Sequence, residues 1–125
     1  MSSAEPGATD GYILVVDDDE DIRTTIQQIL EEEGYQALAA ANGEEALQLI
    51  RARKQAPRLV LLDLMMPVMD GPHFCAKLGE DPLLAAVPVV IISAGGGRGG
   101  NLKAAGYLTK PVDLRTLMAT VKTFA

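Results

Sequence analysis

Hydrophobic runs in five segments of the chain predict β-strands. Residues 12–16, 59–63 and 87–92 are almost continuously apolar, which is typical of strands buried on both faces of a parallel sheet. Residues 35–41 are mostly alanine and predict a weaker strand, because a helical pattern follows them directly. Residues 107–109 predict a short fifth strand. The chain therefore has five segments that can pair into one sheet.

Helical periodicity follows most of these strands. After the first strand, Ile22, Ile26, Ile29 and Leu30 share one face of a helix that Gly34 ends. Alternating strands and helices predict a parallel sheet covered on both faces and joined by right-handed crossovers.

Cap residues mark the other helices. Asn42, with Glu45 reaching back, predicts the start of the second helix, and Pro72 is well placed in the first turn of the third. Asp113 predicts the cap of the last helix. Between the fourth and fifth strands, residues 95–100 read GGGRGG, and each glycine costs a helix about 1 kcal/mol relative to alanine. The fourth helix is therefore predicted to be shortened or replaced by a glycine-rich loop.

Composition limits the function classes. With 125 residues the chain suits one domain, predicted over residues 11–125, after a polar tail at residues 1–10 that we expect to be disordered. No apolar run is long enough to span a bilayer and no secretory signal is present, which predicts a cytoplasmic protein without a membrane contact. One cysteine excludes an internal disulfide, and the net charge of −6 argues against a direct nucleic-acid surface.

Polar residues follow the strands at one edge of the predicted sheet. The carboxyl ends of parallel strands lie together, so Asp17, Asp18, Asp63, Ser93 and Lys110 are expected to converge there. Carboxylates about 4 Å apart repel by roughly 4 kcal/mol per pair at an effective dielectric constant near 20, so three of them require cations. Lys110 supplies one, and Mg²⁺, which prefers oxygen ligands, is the natural second.

A carboxylate beside such an ion can accept a phosphoryl group and form an aspartyl phosphate. The ion, the Lys110 ammonium and the Ser93 hydroxyl would each bind one oxygen of the transferring group. The neighbouring Asp19 and Asp21 are expected to cap or begin the first helix instead.

Four segments carry a family resemblance: VVDDDEDIR at residues 15–23, LDLMMPVMDG at 62–71, IISA at 91–94 and YLTKP at 107–111. Together they resemble the signature segments of receiver domains of bacterial two-component response regulators, over residues 11–124. The resemblance implies a flavodoxin-like (βα)5 fold, a doubly wound five-stranded parallel sheet. It also implies a role in phosphorelay signal transduction, with phosphorylation by a sensor histidine kinase or a His phosphotransfer protein.

The resemblance also implies a role for each matching residue at the acidic site. Asp63 would be the phosphoacceptor. Asp18, Asp63 and the backbone carbonyl of Met65 would hold Mg²⁺, and Asp17 would assist the ion through a water molecule.

Phosphate sensing is assigned to the later motifs. Ser93 would be the switch hydroxyl, Tyr107 the switch aromatic and Lys110 the phosphate-binding cation, although Tyr107 could also be a core aromatic. Family members tune dephosphorylation with the side chains two residues after the acceptor and after the switch hydroxyl. These are Met65 and Gly95 here, and neither can orient a water, which predicts slow self-dephosphorylation.

One departure from the family concerns the stretch between the last two motifs. Lys110 follows Ser93 by only 17 positions, which is shorter than the family usually has by more than one helical turn. The missing residues are those of the fourth helix, which in the family forms part of the surface used for output and dimerisation.

Three functions remain open. The leading one is a receiver, stand-alone or part of a longer chain, that signals to an unknown downstream protein as a monomer or weak dimer. It would have no substrate turnover beyond Mg²⁺-dependent self-phosphorylation and slow self-dephosphorylation. A degenerate receiver would dock without phosphorylation. The third function is an enzyme, because residues 17–19 contain an Asp-x-Asp motif similar to that of haloacid dehalogenase phosphatases.

Overall fold

A computed structural model describes residues 11–53, 55–63, 71–82, 84–93, 104–110 and 112–124. Four expectations lie outside these residues: the disordered tail at residues 1–10, the Met65 carbonyl, Gly95, and the loop at residues 95–100.

A five-stranded, wholly parallel sheet forms the centre of the fold, with the strand order β2-β1-β3-β4-β5. The strands are β1 Ile13–Val16, β2 Ala37–Ala40, β3 Leu59–Asp63, β4 Val89–Ser93 and β5 Gly106–Thr109. All five predicted strands are thus confirmed. The fourth begins two residues later than predicted, after Pro88, which lacks the N–H that a sheet requires.

Helices cover both faces of the sheet. The described helices are α1 Glu20–Glu32, α2 Gly43–Arg53, α3 Gly71–Glu80 and α4 Leu114–Phe124. Between β4 and β5 no helix lies within the described residues, and residues 94–103, where the shortened fourth helix was predicted, lie outside them. The strand order is that of the flavodoxin-like fold, as predicted.

Two hydrophobic cores lie on opposite faces of the sheet because successive strand side chains alternate in direction. Leu14, Leu62 and Ile91 pack on the face that α2 and α3 cover. Val15 and Leu61 pack on the other face, with α1 and α4. Burial on both faces of the sheet explains why the strand sequences are continuously apolar. The packing of these side chains also holds the strand ends in a fixed register.

Predicted caps fix where the helices begin. Asp19 accepts hydrogen bonds from two N–H groups of the first turn of α1, and Gly34 after that helix has a positive φ of 93°. Asn42 accepts from the N–H of Glu45, but the Glu45 carboxylate reaches the N–H of Ala41 rather than that of Asn42. The predicted capping box therefore forms with its return bond shifted by one residue.

The last helix has the cap that the sequence predicts. Asp113 precedes α4 and accepts a hydrogen bond from the N–H of Thr116 at 3.0 Å. This cap fixes the start of α4 at Leu114, shortly after Lys110 in the chain.

Candidate functional site

The strand order places a crevice at the carboxyl end of β1. In the sheet β1 lies between β2 and β3, so the chain connections turn to opposite sides there, and ligands of open α/β sheets bind at such a point. Asp17 follows β1 directly, and Asp63 is the last residue of β3. Val16 and Leu62 are register partners, which brings the two aspartates to the same end of adjacent strands.

Three carboxylates converge in this crevice, as the sequence predicts. One oxygen each of Asp17, Asp18 and Asp63 lie within 4.8 Å of one another. Asp17 and Asp63 are buried, with relative exposures of 1% and 6%, whereas Asp18 is exposed. The carboxylates of Asp17 and Asp63 therefore lie at the buried bottom of the crevice, and that of Asp18 lies at its solvent-exposed side.

Lys110 brings the one ammonium that the sequence predicts for this site. Its Nζ lies 3.2 Å from Asp17 Oδ2 and 3.6 Å from Asp63 Oδ1. Burial alone would lower the pKa of Lys110, but the contact with Asp17 and the charges of Asp17, Asp63 and Asp18 outweigh it, so its pKa is raised above the ordinary value. The lysine therefore stays protonated and acts as a fixed counter-charge.

A hard divalent cation together with Lys110 neutralises the three carboxylates better than Lys110 alone. Asp17 Oδ2 is buried and accepts no hydrogen bond from the described residues, since its contact with Lys110 has the distance of an ion pair without hydrogen-bond geometry. Two carboxylate oxygens within 4.8 Å of each other repel by at least roughly 3 kcal/mol at an effective dielectric constant near 20. One ammonium cannot balance three such charges, and oxygen ligands at this spacing suit a divalent ion such as Mg²⁺.

Arg23 contacts this site, although the sequence analysis assigns no role to it. Its Nη1 donates a hydrogen bond of 2.8 Å to the backbone carbonyl of Asp17. The available signal was its position: Arg23 is the first basic residue after the acidic run at residues 17–21, one turn into α1.

The remaining predicted site residues belong to the last two strands. Ser93 ends β4 and pairs in register with Thr109, directly before Lys110, although its side chain lies outside the described part of the structure. Tyr107 in β5 has a relative exposure of 44%. The alternative of a core aromatic is therefore wrong, and the ring lies at the surface. Asp19 caps α1 and Asp21 lies in its first turn, as expected.

Comparison with known proteins gives a consistent match. A family model described as "Response regulator receiver domain" matches residues 13–122. The chain is 39% identical over 115 residues to the alkaline phosphatase synthesis transcriptional regulatory protein PhoP of Bacillus subtilis, covering 88% of this chain and 46% of that protein. It is 36% identical to protein PilH of Pseudomonas aeruginosa, covering 87% of this chain and 93% of PilH.

The same part of the chain matches only a quarter of the length of response regulator PleD of Caulobacter vibrioides, at 41% identity. The chain thus spans less than half the length of PhoP and PleD.

Solved structures agree with the fold. Chemotaxis protein CheY4 of Vibrio cholerae superimposes with a TM-score of 0.82 at 28% identity, covering 92% of this chain and 98% of that one. The signal receiver domain of a signal transduction histidine kinase from Syntrophus aciditrophicus has the same TM-score at 32% identity, covering 91% and 89%. Among the described residues, no helix has the length and apolar character needed to cross a membrane.

Proposed function

The chain belongs to the response regulator receiver domain family, and we propose that Asp63 accepts a phosphoryl group from a histidine kinase or a His phosphotransfer protein. Receiver domains act in phosphorelay signalling and are not enzymes in the classical sense. The observation that carries the assignment of Asp63 is the convergence of three carboxylates with the Lys110 ammonium at one strand end.

Receiver domains bind Mg²⁺ at their acidic site. In this chain Asp18, Asp63 and the Met65 carbonyl would hold the ion, and Asp17 would contact it through a water molecule. The bound ion supplies positive charge that offsets the charge on the phosphoryl oxygens. The convergence of three carboxylates, two of them buried, supports this ligand set, because the Lys110 ammonium supplies only one positive charge to offset them.

The transfer itself uses the Asp63 carboxylate as nucleophile. One of its oxygens forms the new P–O bond while the P–N bond of a phosphohistidine breaks, and the imidazole leaves with the bonding electron pair. Lys110 Nζ lies 3.6 Å from Asp63 Oδ1, so its ammonium is within reach of a phosphoryl oxygen bound to that carboxylate. The ammonium stabilises the charge that develops there.

Two further residues transmit the effect of Asp63 phosphorylation to the protein surface. The Ser93 hydroxyl would bind another phosphoryl oxygen, and Tyr107, exposed on the adjacent strand β5, would change its contacts when Ser93 moves. Met65 and Gly95 cannot orient a hydrolytic water, so self-dephosphorylation is slow. A downstream protein in the cytoplasm binds this surface and transmits the signal. The receiver itself is a monomer or weak dimer.

Neither alternative function is favoured. A haloacid dehalogenase phosphatase would use the first strand for its nucleophile, but the family match places the chain among receivers. A docking module that needs no phosphorylation would not require the buried Asp63 or the Lys110 ammonium that pairs with it.

The proposal is tested by incubating the protein with Mg²⁺ and acetyl phosphate and measuring its intact mass. We expect a gain of one phosphoryl group that disappears when EDTA replaces Mg²⁺. An unchanged mass with Mg²⁺ present, or an equal gain with EDTA, would contradict it.

Asp18→Asn tests the proposed metal ligands. We expect Mg²⁺ affinity, measured by calorimetry, to fall at least about tenfold, since loss of an outer-shell partner alone costs that much. Glu20→Gln is the matched control: it removes the same charge from an exposed side chain in the first turn of α1. Equal Mg²⁺ affinities in the two variants would argue against Asp18 as a ligand.

A further inference from the structure

The loop between β1 and α1 carries two of the three converging carboxylates. We propose that Arg23 is a positioning residue that holds this loop, residues 17–19, in the conformation that binds the divalent ion. The inference rests on the metal site of the proposed function and adds a residue that the site itself does not include.

Asp17 is held at both of its backbone polar groups. Its N–H donates to the carbonyl of Ala40 in β2 at 3.1 Å, and its carbonyl accepts the bond from Arg23 Nη1 at 2.8 Å. The first contact ties the residue to the sheet, and the second ties it to α1. Arg23 therefore connects the loop to the body of the helix that follows it.

The other end of the loop is fixed by its own acids. The N–H of Asp19 donates to Asp17 Oδ1 at 2.9 Å, and Asp19 Oδ1 in turn accepts from the N–H groups of Asp21 and Ile22. Asp18 stands between these two residues and is exposed. The backbone on either side of Asp18 therefore decides where its carboxylate lies, and Arg23 holds one of those sides.

The charge of Arg23 and its position have opposite effects on metal affinity. A guanidinium near a cation site repels the cation, so its removal would strengthen metal binding if charge were its only effect. Arg23 donates to a backbone carbonyl, however, and Lys110 provides the ion pairs with the acids. If Arg23 positions the loop, its removal weakens metal binding, because the carboxylates lose their fixed arrangement.

The experiment compares Arg23→Gln, Arg23→Lys and Arg115→Gln with the wild type, using Mn²⁺ binding followed by electron paramagnetic resonance. We expect Arg23→Gln to weaken Mn²⁺ binding about tenfold. Arg23→Lys, which keeps the charge and one donor, should recover part of this loss. Arg115 is exposed on α4, and Arg115→Gln should bind Mn²⁺ like the wild type.

A second measurement needs no metal. Amide hydrogen exchange at Asp19 should become about tenfold faster in Arg23→Gln, since that N–H bonds within the loop that Arg23 holds. If Arg23→Gln does not fold, Arg23→Lys takes its place in both measurements, with smaller changes in the same direction.

Unchanged or stronger Mn²⁺ binding in the Arg23 variants would overturn the positioning role. Failure of the metal site gives a different result: Asp18→Asn would then leave Mn²⁺ binding unchanged. In that case the exchange rate at Asp19 still decides whether Arg23 holds the loop.

Discussion

Asp63→Asn is expected to abolish phosphoryl uptake, with no mass gain from acetyl phosphate at any Mg²⁺ concentration. The amide keeps the size and shape of the Asp63 side chain, which is buried. It has no carboxylate oxygen to form the P–O bond, so the nucleophile is lost while the surrounding pocket is retained. Intact-mass measurement over a time course checks the result.

Asp81→Asn is the control for Asp63→Asn. Asp81 is exposed and directly follows α3, which begins near the carboxyl end of β3 and leads away from the acidic site. Its replacement by asparagine removes the same charge. We expect this variant to take up one phosphoryl group at the wild-type rate. A phosphorylated Asp63→Asn protein would mean that another residue is the acceptor.

Lys110→Met is expected to slow phosphoryl uptake by about 100-fold to 1000-fold, the cost of losing one donor that stabilises developing charge in a transition state. Methionine keeps most of the length of the side chain but has no ammonium. The rate of mass gain at saturating Mg²⁺ measures the effect, with Lys122→Met, an exposed lysine in the last turn of α4, as control. Equal rates in Lys110→Met and the wild type would refute the proposed role.

The same variant has a predicted pH signature. Without metal, Lys110→Met should lower the free energy of unfolding by about 2 kcal/mol. Breaking a fully buried ion pair costs roughly 3–5 kcal/mol. The smaller value is expected here because the Lys110 side chain is 19% exposed. The pKa of Lys110 is raised in the folded state, so this stability is fully present below the ordinary value of 10.5. It is lost as the pH rises through the raised pKa.

Urea denaturation of the wild type and of Lys110→Met at a series of pH values checks this signature. The difference between the two proteins should be constant near neutral pH and should shrink above pH 10.5. A difference that grows with pH in the alkaline range would contradict the ion-pair account.

Much of the fold could be predicted from hydrophobic patterning. Continuous apolar runs are a strong signal because a parallel sheet buries both faces of its strands, as Leu61 and Leu62 show by packing into opposite cores. The convergence of Asp17, Asp18 and Asp63 followed from topology alone, since parallel strands bring their carboxyl ends to one edge.

Other features depend on three-dimensional detail that a pattern does not contain. The bond from Arg23 to the Asp17 carbonyl joins a helix side chain to a loop backbone, and no periodicity signals it. The exposure of Tyr107 depends on how β5 lies at the edge of the sheet, and an aromatic residue in a short apolar strand is equally compatible with burial. The shifted return bond of Glu45 to Ala41 depends on backbone angles at the helix start.

The central claim is that the carboxylate of Asp63 takes up the phosphoryl group. The most direct measurement is borohydride reduction of the protein after treatment with acetyl phosphate and Mg²⁺, followed by peptide sequencing, because the reduction converts an acyl phosphate of aspartate to homoserine. We expect homoserine at position 63 and unmodified aspartate at positions 17 and 18. Homoserine at position 17 or 18, or none at all, would contradict it.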